Sequence, residues 1–193
     1  MDHVLFGWLS LALTVISYVP YIVSVARGNT RPHVFGWAIW ALVSLIAAAG
    51  QYAGLAGPGY WATLLSGIFC IVIAVMAALQ KGDKSITRHD KALLILALMA
   101  MPLWYVTNDP LSAVVLVTLI DASGYVPTMR KSWRAPQHEM PLHYIISNVK
   151  HVLAIAATIT YSMTTLLYPV SLFILNAVLI ALIYYRRRQL AYL

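Results

Sequence analysis

Long runs of apolar residues dominate the chain, and short polar segments separate them. A transmembrane helix needs roughly 20 mostly apolar residues, with about 17 to 25 tolerated. Seven runs fit this pattern, at 5–25, 34–53, 59–79, 91–105, 111–128, 142–161 and 168–185. The pattern predicts an all-α integral membrane protein of seven spans, whose short fourth span connects the others rather than lining a pocket.

Basic residues concentrate in alternate connecting segments. They are Arg27 and Arg31 after span one, Lys81, Lys84, Arg88 and Lys91 after span three, Arg130, Lys131 and Arg134 after span five, and Arg186, Arg187 and Arg188 after span seven. The other connecting segments carry no Lys or Arg, and the thirteenth basic residue, Lys150, lies within a span. The positive-inside rule then predicts an outside amino terminus and a cytoplasmic carboxyl terminus, in a plasma or inner membrane.

Composition narrows the class of protein further. Only 10% of residues are charged, whereas a soluble domain carries about 25%, so soluble enzyme folds are excluded. The loop asymmetry accounts for the net charge of +7, and no nucleic-acid partner is predicted. The single Cys70 allows no internal disulfide. The expected partners are membrane lipid and a small-molecule solute, and the sequence leaves a homo-oligomer open.

An internal repeat organises the chain. Tyr18-Val19-Pro20 recurs as Tyr125-Val126-Pro127, and the same offset of 107 residues pairs Trp37 with Tyr144. The order of features predicts two three-helix repeats, 1–80 and 110–193, the second ending in a basic cytoplasmic tail. Between them, 81–109 supplies a cytoplasmic loop and a linker helix, which gives both repeats the same orientation. Parallel repeats of this kind are found in secondary transporters.

On this 3+1+3 layout the chain resembles the superfamily of SWEET sugar transporters, PQ-loop proteins and PnuC-like (MtN3-type) carriers. The first-helix proline of the family matches Pro20 and Pro127. Because a proline removes a backbone hydrogen bond, both are either functional hinges or plain tolerated kinks of their helices. Trp37 and Trp40 with Ser44 resemble the WxxW-type helix of PnuC-like carriers. Asn176 matches one Asn of the paired sugar site, and its expected counterpart in span three is Ser66.

Two charged residues lie inside predicted spans, where they are costly and usually face a cavity or a partner. Asp121 and Lys150 lie seven and eight residues from the cytoplasmic ends of spans five and six, which places them level with one another. One interpretation is a structural ion pair between the two helices. The other is a switch, in which solute or proton binding to one partner releases the other.

Polar and aromatic side chains share two helical faces. Tyr144, Ser147 and His151 follow an i, i+3, i+7 spacing on span six beside Lys150, and span two presents a matching face. An aromatic wall opposite a polar wall suits a ring-shaped or amphipathic solute. The alternative for the Trp side chains is an interfacial belt. Asn176 bonds either a neighbouring helix or a ligand. The predicted solute-binding residues are Trp37, Trp40, Ser44, Ser66, Tyr144, Ser147, Lys150, His151 and Asn176.

These features predict a secondary transporter that moves a small polar organic solute by alternating access. The solute class stays open among sugar-like, nucleoside- or vitamin-like and amino-acid-like molecules, and no enzyme activity, metal or cofactor is expected. The alternative is a membrane receptor or adaptor of the same fold, resembling the KDEL receptor, that binds a carboxylate-bearing ligand without transport. Lys150 would then read the ligand carboxylate.

Overall fold

The structure, a computed structural model, describes residues 2–80, 82–134, 136–138 and 141–191, without the side chains of Pro127, Lys131, His138 and Ala191. Over these residues the chain is helical and contains no β-strand. Two short 3-10 helices, Gly57–Tyr60 and Pro136–His138, accompany the α-helices. The α-helices are α1 (His3–Ala26), α2 (Val34–Ala53), α3 (Trp61–Leu79), α4 (Arg88–Thr107), α5 (Pro110–Arg134), α6 (Pro141–Ala156) and α7 (Met163–Ala191).

Six of these elements are long and apolar enough to cross a membrane, judged by length and composition: α1, α2, α3 with the preceding 3-10 turn, α4, α5 and α7. Integration into a membrane follows from this composition. With 16 residues, α6 extends about 24 Å at 1.5 Å per residue. That length is shorter than a hydrocarbon core of about 30 Å.

The predicted helix over 142–161 is wrong at its carboxyl end, because α6 stops at Ala156. The chain turns there and bends back toward the loop between α2 and α3. The Ile159 backbone N–H donates to the Ala56 carbonyl oxygen at 3.0 Å. A continued helix would direct that N–H to a carbonyl one turn earlier, so the contact with the loop and one further turn of α6 are mutually exclusive.

The linker helix α4 is longer than the apolar run predicts. A capping box starts it at Arg88: the Thr87 hydroxyl oxygen accepts from the Asp90 N–H at 3.1 Å, and the Asp90 carboxylate accepts from the Thr87 N–H at 2.8 Å. Such reciprocal bonds satisfy donors that the first helical turn leaves unpaired. The 20-residue α4 is therefore itself long enough to span a membrane.

The helices pack in a regular pattern. α3 lies against both α1 and α2, and α7 lies against both α5 and α6. Between these groups, α1 contacts α6 and α2 contacts α5, while α4 packs on the outside against α5 and α2. The main buried apolar cluster forms where α2, α4 and α5 meet, and includes Val43, Ala97 and Val114. This arrangement leaves space between the α1–α2 pair and the α5–α6 pair.

Apart from Lys150, the described basic residues lie at one end of the bundle, in loops and at the ends of helices, and we call this the basic end. The opposite end, formed by 54–60, 108–109 and 157–162, is the neutral end. At the basic end two loops pair by their backbones. Val34 N–H donates to the Asp83 carbonyl and Asp83 N–H to the Pro32 carbonyl, each at 2.9 Å. The His33 ring nitrogen Nε2 lies 2.7 Å from the Ser85 carbonyl oxygen. These bonds join the segment before α2 to the segment before α4.

Three glycines bring helices and loops into close contact at the neutral end. A Cβ on Gly7 would lie 2.6 Å from Pro58 Cβ, and one on Gly59 would lie 2.9 Å from Thr158 Cα. Gly57 has a positive φ of 59°, and its Cβ would lie 2.7 Å from Ile159 Cγ1. Such distances leave no room for a side chain. We call this contact of Gly7, Gly57, Pro58 and Gly59 with Thr158 and Ile159 the neutral-end seal.

Candidate functional site

A cavity of about 350 Å³ lies between the two groups of helices, within the range that holds small ligands. Its lining uses the second halves of α1 and α5 and the first half of α2, and along α6 it runs from His143 to Ala154. Ala62 to Cys70 of α3 and Tyr168 of α7 complete the walls. The cavity therefore extends toward the basic end, and the neutral-end seal lies outside its lining.

Four aromatic rings form one wall of the cavity. The Trp37 ring centroid lies 5.0 Å from Tyr21, 5.3 Å from Trp40 and 6.4 Å from Tyr18. Trp40 remains 41% exposed, and the position of a Cβ on Gly124 would be 3.6 Å from its indole nitrogen. Gly124 therefore lies beside the edge of the Trp40 ring. The two Trp side chains thus line the cavity and pack on each other.

A buried carboxylate lies on α5. Asp121 is 8% exposed, and its Oδ2 accepts a hydrogen bond from the Tyr168 hydroxyl of α7 at 2.9 Å. The same hydroxyl lies 3.4 Å from Ser44 Oγ of α2. A charge-assisted bond of this type is roughly twice as strong as a neutral one. The hydrogen bond from Tyr168 therefore fixes the position of the Asp121 carboxylate, and Asp121 still lines the cavity.

A buried ammonium lies on α6. Lys150 is 7% exposed and donates to Ser66 Oγ of α3 at 3.5 Å. The Ser66 hydroxyl in turn donates to the Ala62 carbonyl at 2.8 Å, so its oxygen is free to accept from Lys150. The neighbouring His151 is equally buried and, within the described part of the chain, makes no hydrogen bond. Lys150 and His151 both line the cavity.

Asp121 and Lys150 make no contact within 4.0 Å in this structure, and the structural-pair interpretation stays a prediction. Across the described residues the ion pair found is His33 with Asp90 at 4.0 Å, at the basic end. The reason is the direction of each side chain: Tyr168 holds the carboxylate and Ser66 holds the ammonium. The two charges share one cavity without touching, and the switch hypothesis stays a prediction.

The structure brings together eight of the nine predicted solute-binding residues as cavity lining, and adds Asp121 to them. These eight are Trp37, Trp40, Ser44, Ser66, Tyr144, Ser147, Lys150 and His151. Asn176 is not among the lining residues. It is 2% exposed, and its Oδ1 accepts from the Tyr125 hydroxyl of α5 at 2.9 Å. Of the two alternatives for Asn176, this is the bond to a neighbouring helix.

Of the two candidate hinge prolines, Pro20 lies outside the cavity lining. Pro20 is inside α1 with an exposed side chain. α5 passes through position 127, but the side chain of Pro127 is outside the described part of the structure. Their role as hinges stays a prediction.

Lining residues recur at the offset of 107 found in the sequence. Six positions of α1 and α2 have their equivalents on α5 and α6, and both members of each pair line the cavity. The pairs are Ser17 with Gly124, Tyr18 with Tyr125, Tyr21 with Thr128, Trp37 with Tyr144, Trp40 with Ser147, and Ser44 with His151. Asp121 and Lys150 break this relation, because the equivalent positions in the first half are Thr14 and Val43.

Equivalent tyrosines of the repeated Tyr-Val-Pro segment make similar contacts in the two halves. The Tyr18 hydroxyl of α1 lies 3.7 Å from Cys70 Sγ of α3, 52 residues on. The Tyr125 hydroxyl of α5 bonds Asn176 of α7, 51 residues on. These contacts pair Asn176 with Cys70, and the expected match of Asn176 with Ser66 stays a prediction.

Four tyrosines of the site, Tyr18, Tyr21, Tyr125 and Tyr168, are not among the predicted site residues. Tyr18 and Tyr125 belong to the repeated Tyr-Val-Pro segment, so the repeat itself was the signal that could have found them. Tyr168 lies at the predicted start of span seven, where an aromatic residue is typical of the membrane interface. No pattern along the chain links Tyr168 to Asp121, which is 47 residues earlier.

The site gathers charged, polar and aromatic side chains. Among the described residues, no group of three or more His, Cys, Asp or Glu side chains could hold a metal ion. Comparison of the chain with protein-family models, with curated proteins and with solved structures finds no match. The described lining of the cavity offers the carboxylate of Asp121, the ammonium of Lys150, the imidazoles of His143 and His151 and an aromatic wall.

Proposed function

We propose that this chain is a secondary membrane transporter that moves a small polar organic solute by alternating access. In this proposal two parallel three-helix repeats, α1–α3 and α5–α7, are joined by the linker α4, as in the SWEET, PQ-loop and PnuC-like carriers that the sequence resembles. The observation that carries the proposal is the cavity between the halves, lined by equivalent residues of both. The protein needs no cofactor and catalyses no covalent reaction.

The pattern of helix contacts supports the two-repeat plan. Within each set of three helices, the third helix contacts both the first and the second. Between the sets, α1 contacts α6 and α5 contacts α2, and these two contacts are equivalent under the repeat. A two-fold axis along the membrane normal accounts for both. We assign α6 as the sixth span, because it lines the cavity over most of its length and packs against α1 and α7.

Alternating access requires one closed end and one end that communicates with the cavity. The neutral-end seal provides close backbone packing, and the lining reaches Tyr21, Trp37 and Thr128 near the basic end. Transport then consists of opening the seal while the basic ends of the helices approach. Asp121 and Lys150 are candidates to couple solute occupancy to this movement, because each lies on a different helix and faces the same cavity.

The receptor alternative has one specific observation in its favour. Lys150 is buried, lines the cavity and, among the described residues, has no direct acidic partner within 4.0 Å, which would suit a ligand carboxylate. A receptor and a carrier differ in whether a bound ligand crosses the membrane, so flux separates them.

Flux in proteoliposomes tests the carrier. A thermal-shift screen of sugars, nucleosides, vitamins and amino acids first identifies compounds that stabilise the purified protein, since a ligand that binds the folded state raises its stability. We expect a radiolabelled hit to accumulate in proteoliposomes and not in protein-free vesicles, with loss of uptake in Trp40→Ala. Binding of the hit without any flux would favour the receptor.

Cysteine accessibility tests the proposed orientation, with the neutral end outside. In a Cys70→Ser background, Tyr161→Cys places a thiol at the neutral end and Ser85→Cys places one at the basic end; both side chains are exposed. We expect a membrane-impermeant maleimide to label Tyr161→Cys in intact cells and Ser85→Cys only after permeabilisation. Labelling of Ser85→Cys in intact cells would reverse the orientation.

A further inference from the structure

We infer that the solute is a zwitterion with a flat ring, of the class of aromatic α-amino acids; this inference rests on the proposed function of the cavity as a solute site. It follows from two buried charges of opposite sign that face one cavity without meeting. Sugars, nucleosides and amino acids all remain candidates on the sequence alone.

The first argument concerns what each charge lacks. Asp121 and Lys150 are each more than nine-tenths buried. Within the described part of the chain each hydrogen-bonds one neutral hydroxyl, and the Lys150 ammonium also lies 6.0 Å from the centroid of the Tyr18 ring. A buried ion without a counter-ion is costly, and the cost is recovered when an opposite charge with good geometry arrives. A neutral solute supplies no such charge, and a solute of one sign supplies only one. A zwitterion supplies both.

The second argument concerns placement. The carboxylate and the ammonium are more than 4.0 Å apart, so a solute can enter between them without first breaking an ion pair. Their own hydroxyl partners, Tyr168 and Ser66, anchor each side chain to a different helix. The ammonium of an amino acid would meet Asp121, and its carboxylate would meet Lys150.

The third argument concerns the rest of the solute. The aromatic wall of Tyr18, Tyr21, Trp37 and Trp40 offers ring faces and edges beside the charges. Flat rings gain packing and quadrupole interactions on such a wall. Trp40 lines the cavity, and 41% of its surface is exposed, so part of its ring is available to a ring of the solute. The volume of about 350 Å³ suits one small molecule.

A series with one ring and different charges tests the inference directly. We would measure binding to the purified full chain by calorimetry for tryptophan, tryptamine and indole-3-propionate at neutral pH, beside phenylalanine, tyrosine, histidine, glucose and uridine. Tryptamine lacks the carboxylate and indole-3-propionate lacks the ammonium. We expect at least one of the four amino acids to bind. If tryptophan binds, each indole analogue should bind about 100-fold more weakly, the size expected when one member of a buried charge pair is removed.

Two variants sharpen the test by reversing the preference. In Asp121→Asn the anionic indole-3-propionate should bind better than tryptamine, and in Lys150→Gln the order should be opposite. Tyr105→Phe, at a side chain that is 88% exposed, should behave as the unmodified chain. If either cavity variant fails to fold, the series on the unmodified chain still decides.

The outcomes separate this inference from the carrier proposal. Binding of glucose or uridine, with no binding of the four amino acids, overturns the zwitterion. Indole analogues that bind as tightly as tryptophan also overturn it, and so does a lack of binding by every probe. Flux of a neutral solute would keep the carrier and remove the zwitterion. Tight zwitterion binding without flux would keep the zwitterion and remove the carrier.

Discussion

Gly59→Val is expected to lower uptake by one to two orders of magnitude by holding the neutral end open. The first atom of the new side chain would meet Thr158 Cα at 2.9 Å and the Ala154 carbonyl oxygen at 3.0 Å. Both are backbone atoms and cannot rotate away. Overpacking of this kind costs about 1–3 kcal/mol. In a carrier only the conformation with the closed seal is destabilised by this overpacking, so a smaller fraction of the molecules adopts it.

The protein contains its own reporter for this shift. Cys70 is the single cysteine and lines the cavity. In Gly59→Val a small impermeant thiol reagent applied at the neutral side should modify Cys70 faster than in the unmodified chain, and one applied at the basic side should act more slowly. Ala53→Val is the control, because Ala53 is exposed at the neutral end of α2 and lies outside the cavity lining. Unchanged access to Cys70 in a folded Gly59→Val protein would mean that the seal is not a gate.

Tyr168→Phe is expected to reduce the free energy of unfolding by about 2–3 kcal/mol, because hydrogen bonds to charged groups contribute about 1.5–3 kcal/mol. The change removes the hydroxyl that donates to buried Asp121 and leaves the ring in place. Denaturation of the purified protein in detergent measures the loss. Tyr105→Phe, at an exposed tyrosine, should change stability by less than about 0.5 kcal/mol.

A double-mutant cycle shows whether the effect runs through the carboxylate. When Asp121→Asn is already present, the charge is gone and Tyr168→Phe should cost about 1 kcal/mol, the value for a neutral bond. An equal loss in both backgrounds would contradict the hydrogen bond as the source of the effect. Such a result would point instead to the packing of α7 against α2 and α5.

The sequence predicted the helical, membrane-spanning character, because an apolar run of about twenty residues has the length and composition of a transmembrane helix. It failed at the end of α6, since the turn after Ala156 depends on a backbone bond to Ala56 that no local pattern announces. The start of α4 was missed for a different reason. The capping box of Thr87 and Asp90 is polar, and a search for apolar runs passes over it.

The sequence predicted which helices line the site, but it did not predict the hydrogen bonds within the site. Helical spacing placed the polar stripe of α6 opposite the aromatic stripe of α2, and both line the cavity. Counting residues also set Asp121 and Lys150 at similar depth. Depth follows from the fixed rise per residue, but the direction in which a side chain points around the bundle depends on helix packing. The partners Tyr168 and Ser66 are therefore visible only in the folded chain.

Both charges lie in the second of the two proposed repeats, and this gives a reason for joining the repeats in one polypeptide instead of pairing two identical copies. Two separate copies of the first half, paired about the same axis, would enclose a cavity with Thr14 and Val43 at those positions and no charge. Two copies of the second half would confine two carboxylates and two ammoniums in the same volume. Covalent fusion of unlike halves is the arrangement that keeps one of each, and it lets a symmetric scaffold distinguish the two ends of an asymmetric molecule.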